Sequence, residues 1–561
     1  MKKRLVRVFA VGLTVMTLTA SVVGCNKGDS KKETTAPQTS TATNAKPGGL
    51  PIVDKSIKVK GWMGLHDNHK VAGVNSLEDV LAFQELEKRT NIDIEWTCVT
   101  DANKQFGLMV ASGEWPDFFW AGGSLVEPNR HIESDLIMPL NELIDQHAPN
   151  LKKIYEQLPM LKKEAMDFEG KIWSVTQYNH SADVKTGNLH RLVIRKDWLD
   201  KVGLKMPETQ DELYTVLKAF KEKDPNGNGK KDELPFSDVG FTYAALPGRS
   251  LCFWPLGVGE RYYQVDGKVK FGPLEPDFKK GVEFGKKLFS EGLIDVDTLT
   301  QKEPALKQKV ADNLVGMSAN NYWNHFTSYA DLAKQKTPGY AAEIMPFMKA
   351  SDGKRYVWLD NGHKFGGVIF ITKTTKYAKE IMKWLDYQFT EEGSNLMSYG
   401  VEGKSYDMVN GKPVFKTELL NGADGKSVIA NRSKYTAGGA GAFGWPMYDK
   451  PFEKENGKWP VEMTNLLNGN QEVFDKVVNA KKIADLTRLA SFSDKYTKKE
   501  SELYASKWND LNTFIEESVL KFMLGATPMD KYDDFLKEMK KMGAEELLAI
   551  RQAAYDRMSK K

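Results

Sequence analysis

The chain has 561 residues, 41% hydrophobic and 27% charged, the proportions of an ordinary water-soluble globular protein. At roughly 100–200 residues per domain it must divide into two large lobes or two to four domains. Pervasive disorder, collagen and a polytopic membrane protein are excluded. Lysine and arginine number 79 against 75 aspartate and glutamate, a formal charge of +4, and its meaning depends on where the surplus sits.

It sits at the very start. Lys2, Lys3, Arg4 and Arg7 precede an uncharged run from Val8 to Gly24, and residues 1–24 contain no acid. A basic beginning, a short apolar stretch and small residues at its end describe an export signal rather than a membrane span. Without those four residues, 75 basic side chains face 75 acidic ones, so no nucleic-acid partner is expected. The run closes on Val22-Val23-Gly24-Cys25, which resembles the lipobox of bacterial lipoproteins. That resemblance implies cleavage after Gly24 and a lipid-modified Cys25. Residues 25–50 are rich in Lys, Thr, Ser, Ala and Pro with no apolar periodicity, a tether too polar to fold.

Beyond the tether the pattern is α/β. Alternation of Ile57, Val59 and Gly61 predicts a strand over 56–63. Asn75 or Ser76 can cap a helix to about Arg89, with Leu77, Val80, Leu81 and Leu86 inward. A strand over 92–99, a helix over 101–112 and a strand over 116–120 follow, implying a parallel doubly wound sheet. A second block opens with Leu192-Val193-Ile194. Thr209 and Glu212 form a capping-box pair before Leu213, Val216, Leu217 and Phe220. A buried strand is expected over 366–372 and a helix over 377–389. The last stretch is helical, with breaks at Gly525 and Gly543. Cys98 and Cys252 read as small core residues, and whether they pair stays open.

The densest local motif is Asp224-Pro-Asn226-Gly-Asn228-Gly229-Lys230-Lys-Asp232-Glu233. Oxygen-bearing side chains at alternate positions followed by glycine form the first half of an EF-hand-like calcium loop. Asp224, Asn226, Asn228, the Lys230 carbonyl, Asp232 and Glu233 are the candidate ligands of a structural calcium. The loop departs from an EF-hand at its twelfth position, where Pro235 replaces glutamate. The competing reading is a solvated Asn/Gly turn.

Several stretches together now resemble one family. They are Glu85 to Trp96, Ala111-Ser-Gly-Glu-Trp-Pro-Asp117, Arg195-Lys-Asp-Trp-Leu-Asp-Lys-Val-Gly203 with the loop after it, and Tyr399-Gly-Val-Glu-Gly-Lys-Ser-Tyr406. With the lipoprotein start they resemble bacterial extracellular solute-binding proteins of family 1, the carbohydrate-binding subunits of ABC importers, and are similar to calcium-containing alginate-binding proteins. The resemblance implies an α/β, two-lobed, type II periplasmic-binding-protein-like fold with hinge-crossing segments and a helical C-terminal region. By that analogy residues 51–178 plus 364–432 form one lobe. Residues 179–363 plus 433–561 form the other, with crossings near 175–192, before 366 and near 433–445.

The implied function is capture of a carbohydrate, probed by stacking aromatics and planar hydrogen-bonding groups, and its delivery to permease transmembrane subunits. The protein would be a monomer, lipid-anchored in the bilayer on the extracellular face of a Gram-positive cell membrane. Trp62 and Trp120 end strands, Tyr178 and Asn179 sit at the first crossing, and Trp254 lies in a Pro/Gly-rich segment. Asn320 and Trp323 form a polar-aromatic cluster, Trp358 and Asp360 flank the second crossing, and Trp445 the third. Each is a candidate ligand contact, with core packing the alternative. No zinc spacing, phosphate loop or nucleophile elbow is present, so no catalytic residue and no organic cofactor are expected. An extracellular glycan hydrolase and a sensory lipoprotein reporting to a membrane kinase remain as other readings.

Overall fold

The computed structural model describes residues 49–65, 67–122, 135–157, 159–178, 192–245, 248–319, 325–326, 328–359, 364–419, 428–437, 486–490 and 495–559. The export signal, Cys25 and the tether up to residue 48 lie outside them. The strands are β1 (Ile57–Gly64), β2 (Ile92–Val99), β3 (Phe118–Gly122), β4 (Val175–Tyr178), β5 (Val193–Arg195), β6 (Tyr262–Val265), β7 (Lys268–Phe271), β8 (Met317–Ser318), β9 (Ala342–Ile344), β10 (Arg355–Leu359), β11 (Lys364–Ile371), β12 (Tyr406–Val409), β13 (Lys412–Phe415) and β14 (Leu486–Ala490). Helices of ten residues or more are α1 (Leu81–Thr90), α2 (Ala102–Ser112), α3 (Gln210–Glu222), α4 (Phe278–Ser290), α5 (Ala378–Tyr387), α6 (Lys498–Met523), α7 (Tyr532–Lys541) and α8 (Ala544–Ser559).

The first sheet has the order β2-β1-β3-β11-β4. β1 runs parallel to β2 and β3, as the strand–helix alternation predicts, whereas β11 is antiparallel to both its neighbours. Val59, Met63, Phe118, Ile369 and Ile371 point to one side of it, where Leu86 of α1 and Trp384 of α5 cover them. Trp62, Phe119 and Phe370 point to the other, against Phe106 of α2. Alternation with both faces covered gives near-continuous apolar strands.

Helix starts follow their caps. Asp101 accepts from the Lys104 amide at the head of α2, and Thr209 accepts from that of Glu212 at the head of α3. Ser76 instead caps a single 3₁₀ turn, Leu77–Asp79, through a capping box with Asp79. Val80 is extended there, so α1 begins only at Leu81. The Glu212 carboxylate is drawn to the Glu208 amide (2.7 Å). Gly525 and Gly543 both take positive φ between the last three helices, which is why the chain can break there.

A second core gathers Trp198, Phe220, Phe253, Phe278 and Met348 with Leu511, Ile515, Val519, Phe535 and Leu547 of the C-terminal helices. Two small sheets flank it, ordered β10-β14-β6-β7 and β8-β5-β9. Among the described residues the chain therefore changes core three times, between β4 and β5, between β10 and β11, and between Ala437 and β14. Ala437 still packs in the first core, beyond the boundary expected at 432. Outside the cores, Arg557 of α8 lies over the ring of the exposed Phe168, 5.8 Å from its centroid. Cys98 packs against the first core and Cys252 is buried in the second, both as free thiols. Burial pushes the Cys252 thiol up to about 12. No helix among the described residues is long and apolar enough to cross a membrane.

Gly61 is a tight point in the interior of the first sheet. A Cβ there would sit 2.9 Å from side-chain atoms of Ile94 and Trp96 and 3.0 Å from Phe118. Gly61→Ala is expected to destabilise the fold by about 1–3 kcal/mol in urea unfolding. A change below about 0.5 kcal/mol would mean that these rings yield freely.

Candidate functional site

The acidic loop is built at the end of α3. Asp224 takes φ +46°, and Gly227 and Gly229 take +73° and +75°, so the chain turns left-handed at three positions of the loop. Asp224 Oδ1 accepts from the Gly227 and Asn228 amides (3.0 and 3.1 Å) and its Oδ2 from Gly229 (2.9 Å). Asn226 and Asn228 each donate a side-chain N–H to Asp232 at 3.0 Å. Lys201 Nζ donates to the Pro225 carbonyl (2.7 Å), which fastens the loop to the body of the second core.

Glu233 behaves differently. It is 7% exposed and its Oε1 has no hydrogen-bond partner. Burial pushes its carboxyl above the usual range, and the Asp224 and Asp232 carboxylates push the same way. Asp232, by contrast, is held below its range, chiefly by the Asn228 amide. The donor set is all oxygen, the kind a hard dication takes. Among the described residues no three His, Cys, Asp or Glu side chains converge as a metal group. The acids stand around the loop with asparagine N–H groups between them.

The aromatic candidates do not form one wall. Trp62 is 3% exposed and sits edge-on to Phe106, with centroids 5.5 Å apart. Trp120 is half-buried against the opposite side of the sheet. Register explains this: Trp62 pairs with Phe119 and Met63 with Trp120, so the two tryptophans face opposite ways. Trp254 is also buried, in the second core. The Arg249 guanidinium lies 5.2 Å from its ring centroid, and its Nε1–H reaches Glu260 at 3.4 Å. Tyr178 and Trp358 lie on β4 and β10, with side chains outside the described ones. Asn179, Asn320, Trp323, Asp360 and Trp445 lie outside the described residues.

A recess that no motif announced opens beside Trp254. Leu192, Ser250, Met345, Phe347 and Tyr356 line it with that ring. Leu192 begins the chain after the first passage and Tyr356 lies on the strand before the second. Their positions are 192, 250 and 345–356 in sequence, with no shared period, so only the fold reveals them.

The sequence stretches that suggested a family prove to be staples. Arg195 is clamped to Asp197 by two hydrogen bonds (2.8 and 2.6 Å) between the Trp198 and Tyr340 rings. Asp117 accepts from the Lys60 amide and from Thr375 Oγ1 (2.7 and 2.6 Å). Ser405 Oγ ties the Tyr399 carbonyl to the Val401 amide.

A model of the bacterial extracellular solute-binding protein family matches residues 75–395. The chain is 28% identical to the fructooligosaccharide ABC transporter substrate-binding protein FusA of Streptococcus pneumoniae serotype 4, over 85% of this chain and 86% of that one. It is 26% identical to the polygalacturonan/rhamnogalacturonan-binding protein YtcQ of Bacillus subtilis, over 84% and 88%. The crystal structure of the alginate-binding protein AlgQ2 without calcium ion superposes with a TM-score of 0.69 at 24% identity, covering 90% of this chain and 99% of that one. These superpositions place the fold in the type II periplasmic-binding-protein-like, two-lobed α/β class.

The raised Glu233 carboxyl has a signed consequence. A folded acid whose pKa is raised costs stability when ionised, and that cost disappears as pH falls through the raised value. In chelator, Glu233→Gln should therefore help the fold more at pH 7 than at pH 5, as read by urea unfolding at both. An equal effect at the two pH values would contradict the burial and repulsion assigned to this carboxylate.

Proposed function

Because this chain belongs to the bacterial extracellular solute-binding protein family, we propose that it captures an oligosaccharide outside the cell and delivers it to the transmembrane subunits of an ABC importer. The observation that carries the reading is the threefold passage of chain between two separately packed cores. Residues 51–178 plus 364–437 form one lobe in this reading, and residues 192–359 plus 486–559 the other. Such lobes rotate about their links and close on a ligand held between them. Binding then selects the closed state, since only that state touches ligand from both sides. The saccharide class follows the relatives, FusA and YtcQ, which match over most of their lengths.

The protein is read as a binding protein rather than an enzyme, working as a monomer. Cys25, lipid-modified after loss of residues 1–24, would hold it to the membrane, and residues 26–50 would let it stand off the surface. One acyl chain binds a membrane only weakly, so the full lipoprotein anchor is needed for stable attachment. Stacking and planar polar groups would come from the Trp120, Tyr178–Asn179, Asn320–Trp323, Trp358–Asp360 and Trp445 segments. Trp62 and Trp254 contribute from inside the packing.

A structural calcium fits the loop. Asp224, Asn226, Asn228, the Lys230 carbonyl, Asp232 and Glu233 would hold it. The unpartnered Glu233 oxygen and the mutual repulsion of three acids are both what a dication relieves. Rotating the two asparagine amides would turn oxygens toward the place their N–H groups now occupy. The calcium would link the end of α3 to the strand-like segment after it and carry no chemistry.

Two measurements check these claims. Oligosaccharides added to the mature chain should raise its melting temperature and be recovered intact by chromatography; cleavage products would instead make it an enzyme. Saturating calcium should stabilise wild type by roughly 2–3 kcal/mol at a hundredfold excess over Kd and leave Glu233→Gln nearly unchanged. Identical melting in calcium and in chelator would remove the metal from the account.

A further inference from the structure

The recess beside Trp254 has a size and chemistry of its own. The space inside it that a water-sized body can reach is about 20 Å³. That is little more than one water or methyl requires, and far too little for a sugar ring. Its wall is apolar, made by Leu192, Trp254, Met345, Phe347 and Tyr356. Ser250 is the exception: it is 6% exposed and its Oγ has no hydrogen-bond partner. A buried hydroxyl without a partner is costly, and native structures leave few of them.

The backbone around Ser250 is irregular as well. Arg249–Phe253 forms a π-helical turn, followed at once by a 3₁₀ turn at Trp254–Leu256. Such π turns occur often at functional sites. Gln210 Nε2 donates to the Leu251 carbonyl (2.8 Å) and braces the turn. The Arg249–Glu260 ion pair (2.8 Å) holds the Trp254 indole from its face and its N–H. Trp254 is thus a fixed wall, and Tyr356 is fixed opposite by its hydroxyl bond to Asp352 (2.7 Å). Two residues lining the recess stand beside chain passages, Leu192 just after the first and Tyr356 on β10 before the second.

We propose that this recess is a specificity notch that admits a methyl group attached beside a hydrogen-bond-accepting oxygen on the saccharide, with Ser250 Oγ–H donating to that oxygen. Two saccharide substituents share this chemistry, the N-acetyl group of an amino sugar and the C6 methyl of a 6-deoxy sugar. The methyl fills the mostly apolar interior and the oxygen satisfies the hydroxyl, so both features are met by one group. A plain hexose offers a hydroxymethyl or hydroxyl group instead, which would have to lose its water inside an apolar wall. The inference rests on carbohydrate capture but commits to a feature of the ligand which that reading leaves open.

The test is a glycan array probed with the mature chain, in which N-acetylated, 6-deoxy and unsubstituted members share backbones. Followed by titration of matched pairs, it should show methyl-bearing members binding about tenfold tighter or more, and the array identifies which substituent is responsible. Ser250→Val, which removes the hydroxyl and fills the notch, should abolish the preference. If that variant does not melt cooperatively, Ser250→Ala should reduce the preference below about threefold. Glycan binding with no such preference, or a preference that survives in the variant, overturns the notch alone. Absence of binding to any glycan overturns carbohydrate capture and the notch with it.

Discussion

Neither hydrophobic core can be completed by one continuous piece of chain, and the architecture depends on that constraint. The first sheet is opened by β1, β2 and β3 but needs β11 to cover the edge of β3, and Trp384 of α5 to cover its face. The second core begins at Leu192 and is closed by Leu511, Ile515 and Val519 of α6, far along the sequence. Burying apolar surface is the main favourable term in folding, so the chain must return to each core to bury it. Each return is a link between lobes. A jointed receptor thus follows from how the apolar residues are divided. The contact of Arg557 with Phe168 lies outside those links, where a change in lobe angle would be felt.

Electrostatics in the loop follow a second logic. Three acids within ten residues would repel one another, and the fold separates them by asparagine N–H groups and backbone amides. Asp224 and Asp232 are satisfied in that way, whereas Glu233 is turned inward and is not. A buried carboxylate oxygen left without a partner is costly while the group is ionised, and a nearby charge of the opposite sign would relieve that cost. The same reasoning, applied to a hydroxyl instead of a carboxylate, distinguishes Ser250 in the recess.

Local features could be read from the sequence because their physics is local. The caps at Asp101 and Thr209, the breaks at Gly525 and Gly543, and the glycines of the acidic loop each depend on a few neighbouring residues. The first three strands and their parallel pairing were likewise legible from alternation and spacing. Val80 was not, because its apolar side chain suits a helix while its backbone is extended. Nor was the fate of Trp62 and Trp120. Both lie two residues before the end of a strand, but whether they face together depends on the register between β1 and β3, which pairing and packing decide. The antiparallel β11 was hidden for the same reason, and the recess because its walls come from three distant stretches. The Arg195 and Asp117 motifs were visible, but their stapling roles depend on Tyr340 and Thr375, far along the sequence.

Two lobes that close over a saccharide, as proposed, would make the chain more compact when ligand binds. Small-angle X-ray scattering of the mature chain, free and saturated with the glycan it binds most tightly, measures this directly. Closure predicts a smaller radius of gyration in the complex, and the shift should disappear when the glycan is washed out. An unchanged radius of gyration at full occupancy would contradict the hinged clamp and leave a rigid receptor in its place.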